Sequence, residues 1–209
     1  MNEYFLESRV PPRLMDALWA QGWRHFGAYF FRYSKTGQGD VMPLRMRLAE
    51  FRPSTSQRRV LRRHADLEYR FGPAHSNAEA EELFAAHKVR FEHNVPDSLY
   101  TFIDRNPAEV PCECLSLTVR QGGRLVGMSY LDVGEWSSSS VYQFFDPALG
   151  RRSLGIFMIL KCVEYSLERG LRLYYPGYAY RQPSHYDYKK RLGALEYLDW
   201  EGGWVRLST

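Results

Sequence analysis

The sequence predicts an α+β fold in which a mostly antiparallel sheet is flanked by helices. Residues 114–145 alternate apolar and polar side chains in three segments separated only by turns, the pattern of an antiparallel meander. Residues 153–169 repeat apolar side chains at helical spacing and are followed by Gly170, which indicates one long helix and its end. A further strand is expected at 171–175.

The other elements follow in chain order from the same local patterns. The N-terminal part is expected to hold a helix at 12–21, a strand at 26–33, a turn at 34–40, a strand at 42–48 and a helix after Pro53. A strand at 66–71, a helix at 77–91 capped by Asn77 and a second helical segment at 99–103 come next. The meander strands are expected at 115–120, 124–132 and 140–145, with turns at 121–123 and 134–139. A meander, a long helix and another strand form the order expected of the GCN5-related acyltransferase fold, although a fold alone does not fix chemistry.

Length and composition indicate one domain with a substantial core. The chain has 209 residues, of which 44% are hydrophobic, and we expect a single domain with a basic subregion at 1–75 and an acyltransferase core at 76–209. The net charge of +4 excludes a histone-like polycation, so any nucleic-acid contact must come from a local patch, for which Arg45–Arg70 is the candidate.

The cysteines and the apolar runs bear on the compartment. Cys112, Cys114 and Cys162 show neither an even disulfide count nor metal-ligand spacing, so we expect no metal site and a reducing environment. The N-terminus lacks a basic region followed by an apolar stretch, and no run approaches about 18 apolar residues. We therefore expect a cytoplasmic protein without a membrane span.

The segment Phe51–Arg63 is the first candidate binding surface. Ser54 and Gln57 have the spacing of a capping box, which places a helix start directly after Pro53. At about 100° per residue, four arginines share one arc while Val60 and Leu61 face the opposite way. Such an arc can bind phosphate or carboxylate through paired hydrogen bonds, or it can simply be solvated. The candidate binding residues are Arg52, Ser54, Ser56, Gln57, Arg58, Arg59, Arg62 and Arg63.

The second candidate is the passage from a strand through a turn into the long helix, at 142–155. Backbone amides at a helix start bind anions, and acetyl-CoA-dependent members of the GCN5-related superfamily carry a Q/R-x-x-G-x-G/A loop at this place. Arg152 and Gly155 match its first half, whereas we expect the Phe157 ring to crowd a pyrophosphate. The alternative is that Arg152 and Ser153 only cap the helix. The candidate binding residues are Tyr142, Phe145, Asp146, Arg152, Ser153, Leu154 and Gly155.

The third candidate is the tyrosine-rich segment 174–189. Its six tyrosines exceed what a core needs, and aromatic rings with interleaved bases can stack on a nucleobase or hold the end of a peptide. The alternative is a strand and loop whose hydroxyl groups reach solvent. His185 is the candidate general base because histidine suits proton transfer near neutral pH, although a lone histidine is more often structural.

Together these segments resemble the arginyl-tRNA–protein transferase family, which includes bacterial leucyltransferases that act on N-terminal Asp and Glu. The resemblance covers nearly the whole chain in order and is least clear at 78–111. The segments that carry it are Phe51–Arg63, Tyr142–Pro147 with Arg152–Gly155, Tyr175–Tyr178 with Tyr188–Lys189, and Leu18–Arg32.

The resemblance implies transfer of an aminoacyl group from an aminoacyl-tRNA to an amine, with formation of a peptide bond and without a cofactor. The donor ester is already activated, so the enzyme mainly positions the reactants and deprotonates the amine. The segment 175–189 is then a wall of the reaction pocket. Its candidate catalytic residues are Tyr178, His185, Tyr188 and Lys189, and its candidate binding residues are Tyr175 and Gly177.

The chain departs from the family pattern in two main places and in one lesser one. The family usually has a C-x-x-C just before the strand that begins here near Val41, whereas this chain has Gly37–Asp40, so no iron–sulfur or metal role is carried over. His185-Tyr186 stands where the family tends to have Lys-Met, and Tyr175-Pro176 replaces a usual Tyr-Leu.

Four functions stay open at this point. The acceptor is either the N-terminal Asp or Glu of a protein or a small-molecule amine in a biosynthetic pathway, and the two departures motivate the second option. A CoA-dependent N-acetyltransferase and an RNA-binding module without catalysis are the other possibilities.

Overall fold

Two sheets of unequal size organise the chain in the computed structural model, which describes residues 1–92, 95–201 and 203–207. The small sheet has the order β1-β3-β2 and consists of β1 (Asn2–Leu6), β2 (Arg24–Phe26) and β3 (Tyr29–Tyr33). The large sheet has nine strands: β4 (Lys35–Thr36), β5 (Gly39–Arg47), β6 (Glu68–Pro73), β7 (Cys114–Gln121), β8 (Arg124–Val133), β9 (Ser137–Phe145), β10 (Leu173–Tyr180), β11 (Leu195–Asp199) and β12 (Gly203–Arg206). Its order is β12-β11-β5-β10-β9-β8-β7-β6, with β4 paired to β5.

Five α-helices cover these sheets. They are α1 (Pro12–Ala20), α2 (Thr55–Arg63), α3 (Ala78–Lys88), α4 (Leu154–Glu168) and α5 (Asp187–Lys190). Short 3₁₀ turns lie at Leu48–Glu50, Leu99–Thr101 and Pro147–Arg152. The predicted α+β class with a mostly antiparallel sheet is confirmed. None of the described helices is long and apolar enough to cross a membrane.

The long helix α4 forms the main core against the sheet. Leu154, Phe157 and Cys162 on its inner face are at most 2% exposed, and they pack with Leu117 and Val126 of the meander. The helix contacts β9 and β10 and also β8 and β7, so it holds this part of the sheet in place.

The pairing of β9 with β10 interrupts the antiparallel pattern. Among the described strands this pair alone is parallel, and it lasts for only three residues, ending where Tyr175 pairs with Ser139. Pro176 has no amide hydrogen to continue the ladder, and Gly177 has a φ of +95°, which favours glycine. Beyond this point β10 follows β5, with an irregular register between Tyr174 and Gly177. The two strands therefore part, and we call the gap between 140–145 and 176–180 the wedge.

Several predicted boundaries are wrong for identifiable reasons. The strand expected at 26–33 is a hairpin, because Gly27 has a φ of +53° and turns the chain. The turn expected at 134–139 is shorter, since Ser137–Ser139 are buried strand residues: the Ser137 hydroxyl donates to Asp16, and Ser138 bonds Ser166 over 2.7 Å. The helix expected at 99–103 is one 3₁₀ turn, and the strand expected at 171–175 runs from Leu173 to Tyr180.

The predicted capping box of α2 is present. The Gln57 amide donates to Ser54 Oγ over 3.2 Å, and the Ser54 amide donates to Gln57 Oε1 over 2.8 Å. The Gln57 side chain also donates to the Leu192 carbonyl over 3.0 Å. Val60 and Leu61 pack against the core, as the helical spacing predicts. The same residues therefore start the helix and dock it beside the end of α5.

Replacing Ser54 by Ala should lower the free energy of unfolding by about 1 kcal/mol, because the Gln57 amide at the helix start loses its acceptor, Ser54 Oγ. Chemical denaturation measures the change. Ser98 is the matched control, since it stands at the N-cap position of a 3₁₀ turn without any side-chain capping bond. An equal loss for Ser98→Ala would contradict the assigned role of Ser54.

Candidate active site

Arg24 enters the wedge from the small sheet. Its guanidinium group donates to the hydroxyl of Ser139 and to the carbonyl of Ser140, at the point where β9 loses β10 as a neighbour. Burial lowers the pKa of Arg24, although nearby tyrosines and Asp132 oppose this. Within the described ranges no carboxylate forms a salt bridge with it. A desolvated cation of this kind provides a binding position for an anionic group.

Lys189 approaches the same place from α5. Its ammonium nitrogen donates to the Tyr178 carbonyl over 3.1 Å. A Cβ atom at Gly177 would lie 3.1 Å from Lys189 Nζ and 3.8 Å from Arg24 Nη2. Because Gly177 has no side chain, both cations can approach the backbone there. A glycine at this position therefore serves the approach of the cations as well as the positive φ.

The environment of Lys189 changes its acid–base behaviour. Burial, with a smaller contribution from the positive charge of Arg24, lowers its pKa to about 7. Near neutral pH the side chain is therefore divided between ammonium and free amine, as a residue that moves protons requires. No salt bridge among the described residues restores the charged form.

Aromatic side chains form the wall of the wedge next to these cations. The Tyr142 ring stacks on Phe102 with ring centroids 3.7 Å apart, and its buried hydroxyl has no hydrogen-bond partner in the described part of the chain. The Tyr186 ring lies with its centroid 5.0 Å from Lys189 Nζ. Burial raises the pKa of Tyr142 and raises that of Tyr188 to about 12, while the charge of Arg90 opposes both shifts.

The turn before α4 is organised differently from the predicted anion loop. The Arg152 guanidinium donates to the Arg63 carbonyl over 2.7 Å and to Asp66 over 2.9 Å, so it joins α4 to the end of α2. Asp146 accepts from Arg124 over 2.6 Å and from the Ala148 amide over 2.9 Å. Both predicted binding residues are thus engaged in bonds within the protein.

The helix start itself borders the wedge through Gly155. A Cβ atom there would lie 3.1 Å from both Gln143 Nε2 and the Phe145 ring. Ser153 adopts a left-handed conformation with a φ of +64° and makes no side-chain capping bond, and Leu154 is fully buried. The amides at this end of α4 keep the general capacity of helix starts to bind anions.

The expectation that Phe157 crowds this loop is wrong. Its ring is 2% exposed and stacks on His64 of α2, with ring centroids 5.0 Å apart. The residue therefore serves the contact between α2 and α4. The Phe157 ring therefore does not crowd a pyrophosphate at this loop.

The arginine arc lies on the outside of α2, as predicted. Arg58, Arg59, Arg62 and Arg63 are exposed. Arg58 folds back onto the Pro53 carbonyl over 2.6 Å, and Arg52 donates to the Phe51 carbonyl over 2.6 Å. Ser54 and Gln57 serve the capping box instead, and Ser56 Oγ lies 2.9 Å from Ser54 Oγ. The arc extends from the neighbourhood of α5, where Gln57 contacts Leu192, to the turn before α4, where Arg152 contacts Arg63.

The tyrosine-rich segment divides into core and site. Tyr174 and Tyr175 are buried, the second next to Trp19, whereas Tyr186 and Tyr188 are exposed, so only part of the segment serves the core. The Tyr178 hydroxyl donates to the Gly22 carbonyl over 2.6 Å and fixes the segment before β2. His185 is exposed on the loop before α5. Within this segment, Gly177 and Lys189 are the predicted residues that meet at the wedge.

Sequence reasoning missed Arg24, Arg90, Ser139 and Ser140. Arg24 lies inside the quoted segment Leu18–Arg32, between the predicted helix and the predicted strand, but it was not singled out there, and the serines belong to a polar run that resembles a turn. The sequence did contain one indication for Arg24, because an arginine among apolar strand residues needs hydrogen-bond acceptors when it is buried. Nothing local indicated which strand those partners belong to.

Solved structures share the architecture of this chain. The C-terminal domain of a putative lysylphosphatidylglycerol synthetase from Agrobacterium fabrum superimposes with a TM-score of 0.53 at 16% identity, covering 84% of this chain and 54% of that one. FemX superimposes with a TM-score of 0.51 at 11% identity, covering 82% of this chain and 61% of that one. The chain thus spans somewhat more than half of each structure. The chain shares its α+β fold with these two structures.

Sequence comparison then gives the family. The family model described as the C terminus of arginine-tRNA-protein transferase matches residues 75–199, more than half of the chain. An aspartate/glutamate leucyltransferase of Marinobacter nauticus is 29% identical over 205 residues, covering 97% of this chain and 86% of the relative. One of Chromohalobacter salexigens is 32% identical over 203 residues, covering 93% and 81%. The chain belongs to the arginine-tRNA-protein transferase family, and the predicted enzyme class, an aminoacyl-tRNA-dependent aminoacyltransferase, is confirmed.

Proposed function

We propose that the protein transfers a leucyl group from charged tRNA to the α-amine of a protein that begins with Asp or Glu. The related aspartate/glutamate leucyltransferases are named for the leucyl group and for the aspartate or glutamate that receives it. The wedge supplies the observation that carries the proposal: a proton-exchanging lysine and an uncompensated arginine converge on Gly177 beside an unpaired stretch of β9.

The reaction requires one bond to form and one to break. The acceptor nitrogen attacks the ester carbonyl carbon, and the bond between that carbon and the terminal ribose oxygen of the tRNA breaks. The attacking amine must lose a proton, and the ribose oxygen must gain one. A Lys189 amine with a pKa of about 7 accepts the first proton near neutral pH and, as ammonium, returns a proton to the leaving oxygen. Because the ester is already activated, no cofactor is needed.

Arg24 provides the proposed basis for acceptor choice. A half-buried guanidinium group without a carboxylate partner among the described residues favours a substrate that brings one. An Asp or Glu side chain on the acceptor meets this need, whereas its neutral amide counterpart does not. Arg90, near Tyr142 and Tyr188, adds positive charge to the same wall.

The arc on α2 is the proposed path for the tRNA backbone. Its four arginines are exposed, and the helix begins next to Leu192, three residues beyond Lys189. A tRNA whose terminal adenosine reaches the wedge therefore passes beside a row of guanidinium groups, which bind phosphates without regard to base sequence. Since charged tRNA is the donor, the proposed compartment is the cytoplasm.

Replacing Arg58, Arg59, Arg62 and Arg63 by Ala should weaken tRNA binding and flatten its salt dependence by about 3 units of logarithmic slope. Filter binding across a salt series measures both quantities. The charge-matched control replaces Arg9, Arg13, Arg105 and Arg169, which are also exposed, by Ala. Equal effects of the two sets would show that only net charge matters and would remove α2 from the tRNA path.

Single-turnover transfer from leucyl-tRNA to an Asp-initiated peptide tests the reaction. Lys189→Met should lower the rate about 100-fold or more and remove the increase that accompanies Lys189 deprotonation near pH 7. The acceptor amine contributes its own pH dependence equally to both proteins. Lys190→Met is the neighbouring control, because Lys190 pairs with Asp187 over 2.8 Å instead of lining the wedge.

The panel of acceptors decides between the proposed function and its alternative. Asp-, Asn- and Ala-initiated peptides and a set of small amines are compared with the same charged tRNA. Preference for the Asp peptide supports the proposal. Transfer only to small amines would replace it with the biosynthetic alternative, which the exposed His185-Tyr186 position and the absent cysteine pair favour.

A further inference from the structure

Three buried side chains from distant parts of the chain meet behind the wedge. His25 lies on β2, Cys112 precedes β7, and Asp132 lies on β8. Their exposed fractions are 5%, 5% and 1%. The imidazole, thiol and carboxylate ligand atoms all lie within 4.8 Å of one another. Neither the proposed reaction nor the tRNA path uses any of them.

The hydrogen bonds leave this group incomplete. His25 Nδ1 lies 3.0 Å from the Gly27 carbonyl, which can only accept, so Nδ1 carries a proton. His25 Nε2 then shares a single proton with Asp132 Oδ2 over 2.6 Å. The other carboxylate oxygen, Asp132 Oδ1, is buried and has no nitrogen or oxygen donor in the described part of the chain, and the buried Cys112 and Cys114 thiols are neighbours of this carboxylate. An unsatisfied buried carboxylate oxygen is costly and calls for a ligand.

We propose that His25, Cys112 and Asp132 bind one divalent metal ion of the zinc class. Nitrogen, sulfur and oxygen from these residue types are the donors that Zn²⁺ takes in proteins. The thiol disfavours Mg²⁺ and Ca²⁺, which prefer oxygen. The bond from Nδ1 to the Gly27 carbonyl supplies the orienting contact that metal-binding histidines commonly have, and it directs Nε2 toward the carboxylate.

Charge balance favours a divalent ion at this buried place. Binding releases the proton shared by His25 and Asp132 and the proton of the Cys112 thiol, so two protons leave as the ion enters. A neutral imidazole, a thiolate and a carboxylate then offset the two positive charges. The site is neutral before and after binding, so its burial adds no net charge to the interior.

The position of the group indicates a structural role. It connects the small sheet to β8 and to the segment before β7, and Arg24 is the residue next to His25. A bound ion would therefore hold the strand that delivers Arg24 to the wedge. The ligands come from residues 25, 112 and 132, so this site is separate from the family's C-x-x-C position, where this chain has Gly37–Asp40.

Metal content of the full-length protein tests the proposal without reference to activity. Protein expressed in zinc-supplemented medium, freed of any histidine tag and passed through gel filtration should retain about one zinc per chain by mass spectrometry. Cys112→Ser should retain less than about a tenth of that amount. Cys162→Ser is the matched control, because Cys162 is also a buried free thiol but lies in α4.

A second measurement does not depend on the folding of a variant. Metal-stripped wild-type protein titrated with Co²⁺ should show a thiolate-to-cobalt charge-transfer band that saturates at about one equivalent. Retained zinc together with the thiolate-to-cobalt band would support the site. The Cys112→Ser variant should lose both the zinc and the band. No retained zinc and no thiolate band in the wild type, or undiminished zinc in Cys112→Ser, would overturn it.

Discussion

The rest of the site depends on the short parallel contact between β9 and β10. Strands that pair in parallel normally continue until one of them ends, because unpaired backbone groups inside a protein are costly. Here Pro176 removes the next donor, and Gly177 turns the backbone away while both strands continue. The unsatisfied edge of β9 then accepts hydrogen bonds from Arg24, and the open backbone at Gly177 accommodates Lys189.

The charges in the wedge depend on the order of the strands that position them. Two cationic side chains occupy a partly desolvated gap without carboxylate partners in the described residues, so an anionic substrate completes the site more favourably than water does. The small sheet matters for the same reason, since β2 carries Arg24 and is held to β8 by the bond between His25 and Asp132. His25 and Asp132 thus fix the position of Arg24, which is proposed to contact the substrate.

The elements that sequence alone predicted well are those specified by local patterns. The capping box at Ser54 and Gln57, the helix that carries the arginine arc and the three-stranded meander depend on neighbours within a few residues. Gly177 and Lys189 came from the resemblance to the family rather than from local physics. Arg24 and the His25–Cys112–Asp132 group were missed because Arg24 and His25 lie more than eighty residues before their partners in the chain. The expectation for Phe157 was wrong for a different reason. A loop pattern placed its ring at the binding site, whereas in the fold the ring packs against His64 in the core.

We propose that aminoacyl transfer takes place where β9 and β10 part. A crystal structure with a non-hydrolysable donor mimic, 3′-leucylamino-3′-deoxyadenosine, is the sharpest test of this location. We expect the leucyl carbonyl in the wedge, within reach of Lys189 Nζ, with the ribose directed toward α2. A mimic bound elsewhere on the protein, with the wedge unaltered, would contradict it.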